Sequence, residues 1–170
     1  MAFQNPDDAT IHRLLESARR IVVVGLSPKP HRDSNRVARY LLDRGYEVVP
    51  VYPREETILG QKVYRRLPDV PGRVELVDVF RRSTELAAVV DDALAARVAA
   101  LWFQLGCIDD AAARRAQATG ITVVMDRCMM VEHAALLGRN WRCRRVTPGE
   151  VPSDGTFARA GWSTRSVRCC

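Results

Sequence analysis

The stretch IVVVGLSPKPHRDSN, Ile21 to Asn35, places a glycine, two serines and an asparagine directly after an apolar run. These residue types suit an anion site. Gly25 lets the backbone turn and lets a ligand approach closely. Ser27 offers a hydroxyl and an amide. Ser34 and Asn35 stand at a helix start, where free amides and the helix dipole attract negative charge. Lys29, His31 and Arg32 add charge at the rim. The dinucleotide fingerprint G-x-G-x-x-G is not completed, because Ser27 and Pro30 occupy its second and third glycine positions. A second stretch, VFRRS, sets Arg81 and Arg82 just past another apolar run, where two guanidiniums can flank a phosphate.

Catalytic groups are harder to find. His12, His31 and His133 join no Ser-His-Asp order and no pair of facing carboxylates. His133, beside Glu132, reads either as a base or as a packed side chain. Cys128, beside Arg127, reads either as an activated thiol or as a buried inert one. The five cysteines, at 107, 128, 143, 169 and 170, show no CxxC spacing, so no metal is expected.

Apolar periodicity supplies the elements that must position these groups. Five runs read as strands: Arg20 to Gly25, Tyr46 to Pro53, Arg73 to Phe80, Val98 to Gln104 and Ile121 to Asp126. Helical spacing falls between them, over Ile11 to Ala18, from Ser34 or Asp33 to Gly45, over Thr84 to Arg97, from Asp109 or Asp110 to Thr119, and over Met130 to Leu137. A small extra strand at QKVY and a turn or short helix at LPDVPG are expected in the long connection from Arg54 to Gly72. Strands apolar on both faces, alternating with amphipathic helices, indicate a parallel sheet covered on both sides. The fold class is therefore α/β, a Rossmann-like, doubly wound, five-stranded parallel sheet in a single domain. Its expected strand order is 3-2-1-4-5. Ligands of such sheets bind beyond the carboxyl ends of the strands, where the order reverses, here the crevice over the first and fourth strands.

Of the net charge of +6, the residues from Gly138 onward hold +5, as seven arginines against Glu150 and Asp154. The body is nearly neutral, so the charge does not by itself argue for a nucleic-acid partner. The expected division is a domain over 1–138 and a basic, loosely ordered tail over 139–170. No apolar run approaches the ~18 residues of a membrane span. The polar N-terminus does not read as a secretory signal. A cytoplasmic protein with reduced thiols is expected.

VVVGLSPKPHRDSNRVARYL, GYEVVPVYP, VDVFRRS, LWFQLGCID and VVMDRCMMVEH, in this order and each at a strand end, together resemble the CoA-binding domain family. That family shares its fold with the N-terminal domain of the succinyl-CoA synthetase α subunit, and the resemblance covers about Ile11 to Gly138. It implies a pocket for coenzyme A or an acyl-CoA. By the family pattern Gly25, Ser27, Ser34 and Asn35 face the pyrophosphate. Val51, Tyr52 and Pro53 line the adenine, and Phe80 and Arg81 close the nucleotide end. Trp102, Gln104 and Gly106 belong to the fourth-strand motif, and Cys128 falls near the conduit for the pantetheine arm. Met130 stands where members often carry lysine, and the arginine-rich tail lies outside the pattern.

An NAD site wants Asp or Glu at the end of the second strand for the ribose hydroxyls, and this strand ends in VYP. The expected function is non-catalytic binding of coenzyme A or an acyl-CoA, as carrier, sensor or regulator. The alternative is an NAD(P)-dependent or acyl-CoA-handling enzyme acting with a partner. A module that uses the basic tail for RNA or protein contacts is a third reading. The partner expected is a small-molecule nucleotide, with no membrane and no nucleic acid.

Overall fold

The computed structural model describes residues 2–138 and 141. Five largely apolar runs form one parallel sheet: β1 (Arg20–Val24), β2 (Glu47–Val51), β5 (Leu76–Val79), β6 (Ala100–Phe103) and β7 (Thr122–Met125). Two short strands, β3 (Thr57–Ile58) and β4 (Gln61–Lys62), make a separate hairpin. Helices α1 (Asp8–Ser17), α2 (Asp33–Asp43), α3 (Leu86–Ala95), α4 (Asp110–Ala118) and α5 (Met129–Leu136) alternate with the strands.

Both faces of the sheet are covered, as the strand composition requires. Val22, Val24, Val77, Val79, Leu101 and Phe103 point to the side of α3 and α4. Ile21, Val23, Leu76 and Trp102 point to the side of α1, α2 and α5. The period of two along each strand thus feeds two separate cores.

The sheet order is β2-β1-β5-β6-β7, which corrects the expected 3-2-1-4-5. Counting the five long strands alone, the observed order is 2-1-3-4-5. The third long strand, β5, pairs with β1 rather than lying outside β2. The place outside β2 goes instead to Tyr64, which forms a single parallel bridge with Val51. Its N–H donates to the Pro50 carbonyl at 3.0 Å, and Tyr52 N–H donates to its carbonyl at 3.0 Å. Pro50 turns its backbone groups to that edge and has no N–H to offer there, so a longer ladder cannot form. The long connection therefore contributes one residue at the place where the expected order put the third strand. The reversal point moves with the order, from the first and fourth strands to β1 and β5.

The other edge is closed by a side chain. Asn5 Nδ2 donates to the Met125 carbonyl at 2.9 Å, and Met125 N–H donates to Asn5 Oδ1 at 2.7 Å. The carboxamide reproduces the pair of backbone bonds that a neighbouring strand would make with β7.

Helix α1 begins at Asp7, whose carboxylate accepts from Thr10 N–H at 2.8 Å. Asp109 caps α4 in the same way through Ala112 N–H. The expected cap of α2 by Ser34 or Asp33 is corrected: its N-cap is Arg32, and no side chain caps its first turn. The QKVY strand appears as β4, and LPDVPG contains a 3-10 turn at Leu67–Asp69. Of the tail, only Trp141 lies among the described residues. It packs on Tyr46 and His133, with ring centroids 5.7 and 5.1 Å away. The rest of the expected basic tail lies outside them.

Candidate functional site

The C-terminal ends of β1 and β5 meet at Gly25. Its φ of +84° is the left-handed conformation that glycine adopts without strain. Its N–H donates to the Val51 carbonyl, and Phe80 N–H donates to the Val24 carbonyl, both at 2.9 Å. The backbone after β1 is thereby held against the ends of both neighbouring strands.

The loop that follows is built by the two residues at the start of α2. Ser34 Oγ accepts from Ser27 N–H at 3.0 Å, and Asn35 Nδ2 donates to the Ser27 carbonyl at 2.9 Å. Ser27 Oγ in turn accepts from Lys29 N–H at 3.2 Å. The Ser34 and Asn35 side chains are buried and directed at the loop rather than at the crevice. They fix its shape, and the uncapped first turn of α2 remains to attract an anion. His31 and Arg32 are exposed at the rim, and Arg36 pairs with Asp33 in the first turn.

On the side of α3, a cleft of about 400 Å³ opens over the ends of β1 and β2. Val24, Val51, Leu67 and Val89 give it an apolar floor, and Arg65, Arg66 and Arg81 stand at its rim. Arg81 also reaches back to the loop: its Nε lies 3.5 Å from where a Cβ on residue 25 would sit. Its Nη1 is 3.7 Å from Glu85 Oε1. Arg82 is exposed, and its backbone N–H donates to Glu85. Val51 thus belongs to the cleft, whereas Tyr52 and Pro53 do not line it. Arg65 and Arg66 are absent from the sequence-derived set, and the signal was the adjacent RR after Tyr64. Placing it required knowing that Tyr64 docks on β2.

The remaining expected residues lie under or beside the crest. Gln104 is buried and donates through Nε2 to Asp78 Oδ1 at 2.8 Å. Burial pushes the Asp78 carboxyl up to about 8. Asp78 Oδ2, Gln104 Oε1 and Asn35 Oδ1 are buried with no hydrogen-bond partner among the described residues. Gly106 N–H donates to Asp126 Oδ1 at 2.8 Å, and Trp102 Nε1 donates to the Arg127 carbonyl at 2.7 Å, which ties the loops after β6 and β7 together. Cys128 is a buried thiol at the start of α5. Arg127 is directed at Asp8 and Glu132, at 3.2 and 3.4 Å.

His133 lies away from the crest. It is buried between Tyr40, Tyr46 and Trp141, and its Nδ1 is 2.9 Å from the Tyr40 hydroxyl. Burial, aided by the nearby Arg44 guanidinium, pushes its imidazole down to about 4. Of the two readings of this residue, the packed side chain is the one the geometry supports. A broader concavity of about 650 Å³ runs past Arg13, Glu16, Arg19 and Trp141. It lies at the opposite end of the sheet from the strand carboxyl ends, where open α/β sheets do not hold their ligands.

No helix among the described residues is long and apolar enough to cross a membrane. A family model described as a CoA binding domain matches residues 19–134. The protein YneT of Bacillus subtilis (strain 168) is 39% identical over 131 residues, covering 77% of this chain and 97% of that one. A hypothetical protein from Pyrococcus horikoshii OT3, of solved structure, is 38% identical with a TM-score of 0.75, covering 81% of this chain and all of that one. A dinucleotide-forming acetyl-coenzyme A synthetase from Ca. Korarchaeum cryptofilum, solved with phosphate and ADP, is 26% identical with a TM-score of 0.61. That match spans 67% of this chain but 27% of the synthetase.

Proposed function

The chain belongs to the CoA binding domain family, and from that premise we propose that it binds coenzyme A or an acyl-CoA at the β1/β5 crest without transforming it. One juxtaposition carries the reading: an arginine-rimmed apolar cleft and the uncapped start of α2 lie on either side of Gly25. A purine fits against the apolar floor. A pyrophosphate fits where loop amides, helix dipole and Arg81 converge. The pantetheine arm then runs over the ends of β6 and β7, toward Gly106 and Cys128. Its holder role is that of a carrier, sensor or regulator.

The groups that support this reading act by shape and charge. Gly25 keeps the turn close to β5, Ser34 and Asn35 hold the loop, and Arg81 spans loop and cleft. Isothermal titration of the purified chain with coenzyme A, acetyl-CoA and NAD tests the binding. Coenzyme A binding more tightly than NAD is expected, and the reverse order overturns it. Incubation with acetyl-CoA, followed by assay of released thiol, tests the second half of the proposal. Sustained turnover by the isolated chain makes it an enzyme instead.

A further inference from the structure

Arg65 and Arg66 are adjacent in sequence yet line the same cleft, and Arg81 reaches it from a different loop. The backbone around the pair is fixed on both sides. Tyr64 is bridged to β2, and Leu67 is buried at 2% exposure at the start of a 3-10 turn. The two guanidiniums are therefore held over the cleft by a docked segment rather than carried on a free loop.

Each guanidinium keeps donors in reserve. Arg65 donates through Nη1, to the Glu55 carbonyl at 2.8 Å and the Tyr52 carbonyl at 3.5 Å. Arg66 donates through Nη2 to Asp92 Oδ1 at 2.5 Å, with its side chain 67% exposed. A guanidinium carries five N–H donors, so most remain available to a ligand. Three arginines face Glu85 and Asp92 over an apolar floor, so the cleft is net positive. Acceptor number separates the ligands: a phosphodiester offers two free oxygens, whereas a phosphate monoester offers three and accepts from several guanidiniums at once.

We propose that Arg65 and Arg66, with Arg81 opposite, read a phosphate monoester on the ribose of an adenine nucleotide. This inference rests on the binding proposed above and deepens it: of the coenzyme A molecule, the group read is the 3′-phosphate. The same chemistry is offered by a 2′-phosphate on a nicotinamide dinucleotide, so the test must separate the two sources.

The experiment is titration calorimetry of the full chain with coenzyme A, dephospho-CoA, NADP and NAD, repeated on R65A/R66A and on the charge-conserving R65K/R66K. Melting curves check that both variants are folded. Coenzyme A is expected to bind about tenfold or more tighter than dephospho-CoA. That ratio is expected to collapse toward one in R65A/R66A and to be partly kept in R65K/R66K. Equal affinity for the two ligands in the unaltered chain, or a ratio that survives in R65A/R66A, overturns the inference while leaving coenzyme A binding in place. A preference for NADP over NAD that disappears in R65A/R66A, without coenzyme A binding, supports the arginine assignment and removes the coenzyme A reading. Binding of none of the four overturns both.

Discussion

The carbonyl oxygen of Phe80 lies 2.3 Å from the position a Cβ on Gly25 would occupy. No side chain can be added there without moving the end of β5, because the obstructing atom is backbone. The φ of +84° adds strain for any other residue. Gly25→Ala is therefore expected to lower stability by about 2 kcal/mol or more. It should also weaken the proposed coenzyme A binding, since the loop and the cleft share this corner. Urea melts and calorimetry on the same preparation check both. A variant of unaltered stability would show that the corner is not constrained.

Ser34 and Asn35 act on the loop through Ser27. Removing the Ser34 hydroxyl leaves the Ser27 N–H without its acceptor, so Ser34→Ala should cost about 1–2 kcal/mol. Asn35→Ala frees the Ser27 carbonyl and should loosen the same turn. Hydrogen exchange at residues 27–35 is expected to speed up in both, and coenzyme A affinity to drop about tenfold. Unchanged affinity with faster exchange would separate loop order from binding.

Asp78 ties stability to pH in one direction. Its carboxyl ionises near 3.8 in the unfolded chain and is held protonated up to about 8 by burial in the folded one. Folding thus takes up a proton in between, and the stability this group contributes is present below about pH 4 and is lost as pH rises toward about 8. Asp78→Asn cannot ionise and can still accept from Gln104. Relative to the unaltered protein, it should gain stability steadily across that window, measured by urea melts at a series of pH values. A constant difference would mean the carboxylate is charged in the fold.

His133 works at the acid side. Its imidazole is pushed from 6.5 down to about 4. The unfolded chain therefore binds a proton that the folded one refuses, and stability falls as pH drops from about 6.5 to about 4. His133→Phe should flatten that acid limb. At neutral pH it should cost about 1 kcal/mol, because the Tyr40 hydroxyl loses its partner. Thermal melts at the two ends of the window read both effects.

The strands were legible because each is a short, largely apolar run bounded by turn residues, and the helices because their apolar residues repeat at helical spacing. The order was not, since it turns on Tyr64, one residue whose two backbone bonds fill a strand's place. No periodicity announces a bridge of that length. The same gap hid Arg65 and Arg66, although Arg81 was recognised by its position after a clear strand. Ser34 and Asn35 were found as residues of the site, but composition cannot tell a side chain that faces a ligand from one that braces the loop around it. Asp78 was hidden for a related reason: a carboxyl between two valines reads as part of a strand, and its neutrality follows only from the depth at which it sits.

The closing of the sheet at both sides also bears on how these molecules meet one another. Asn5 occupies the ladder position of Met125 on β7, and at the other edge Tyr64 bridges Val51 while Pro50 offers no donor. Strand-by-strand polymerisation and domain exchange through the sheet both need a run of unpaired donors. Among the described residues, edge-to-edge pairing is therefore opposed at Met125 and at Pro50 to Tyr52, and trimming the first six residues would uncover the Met125 N–H and carbonyl for such pairing.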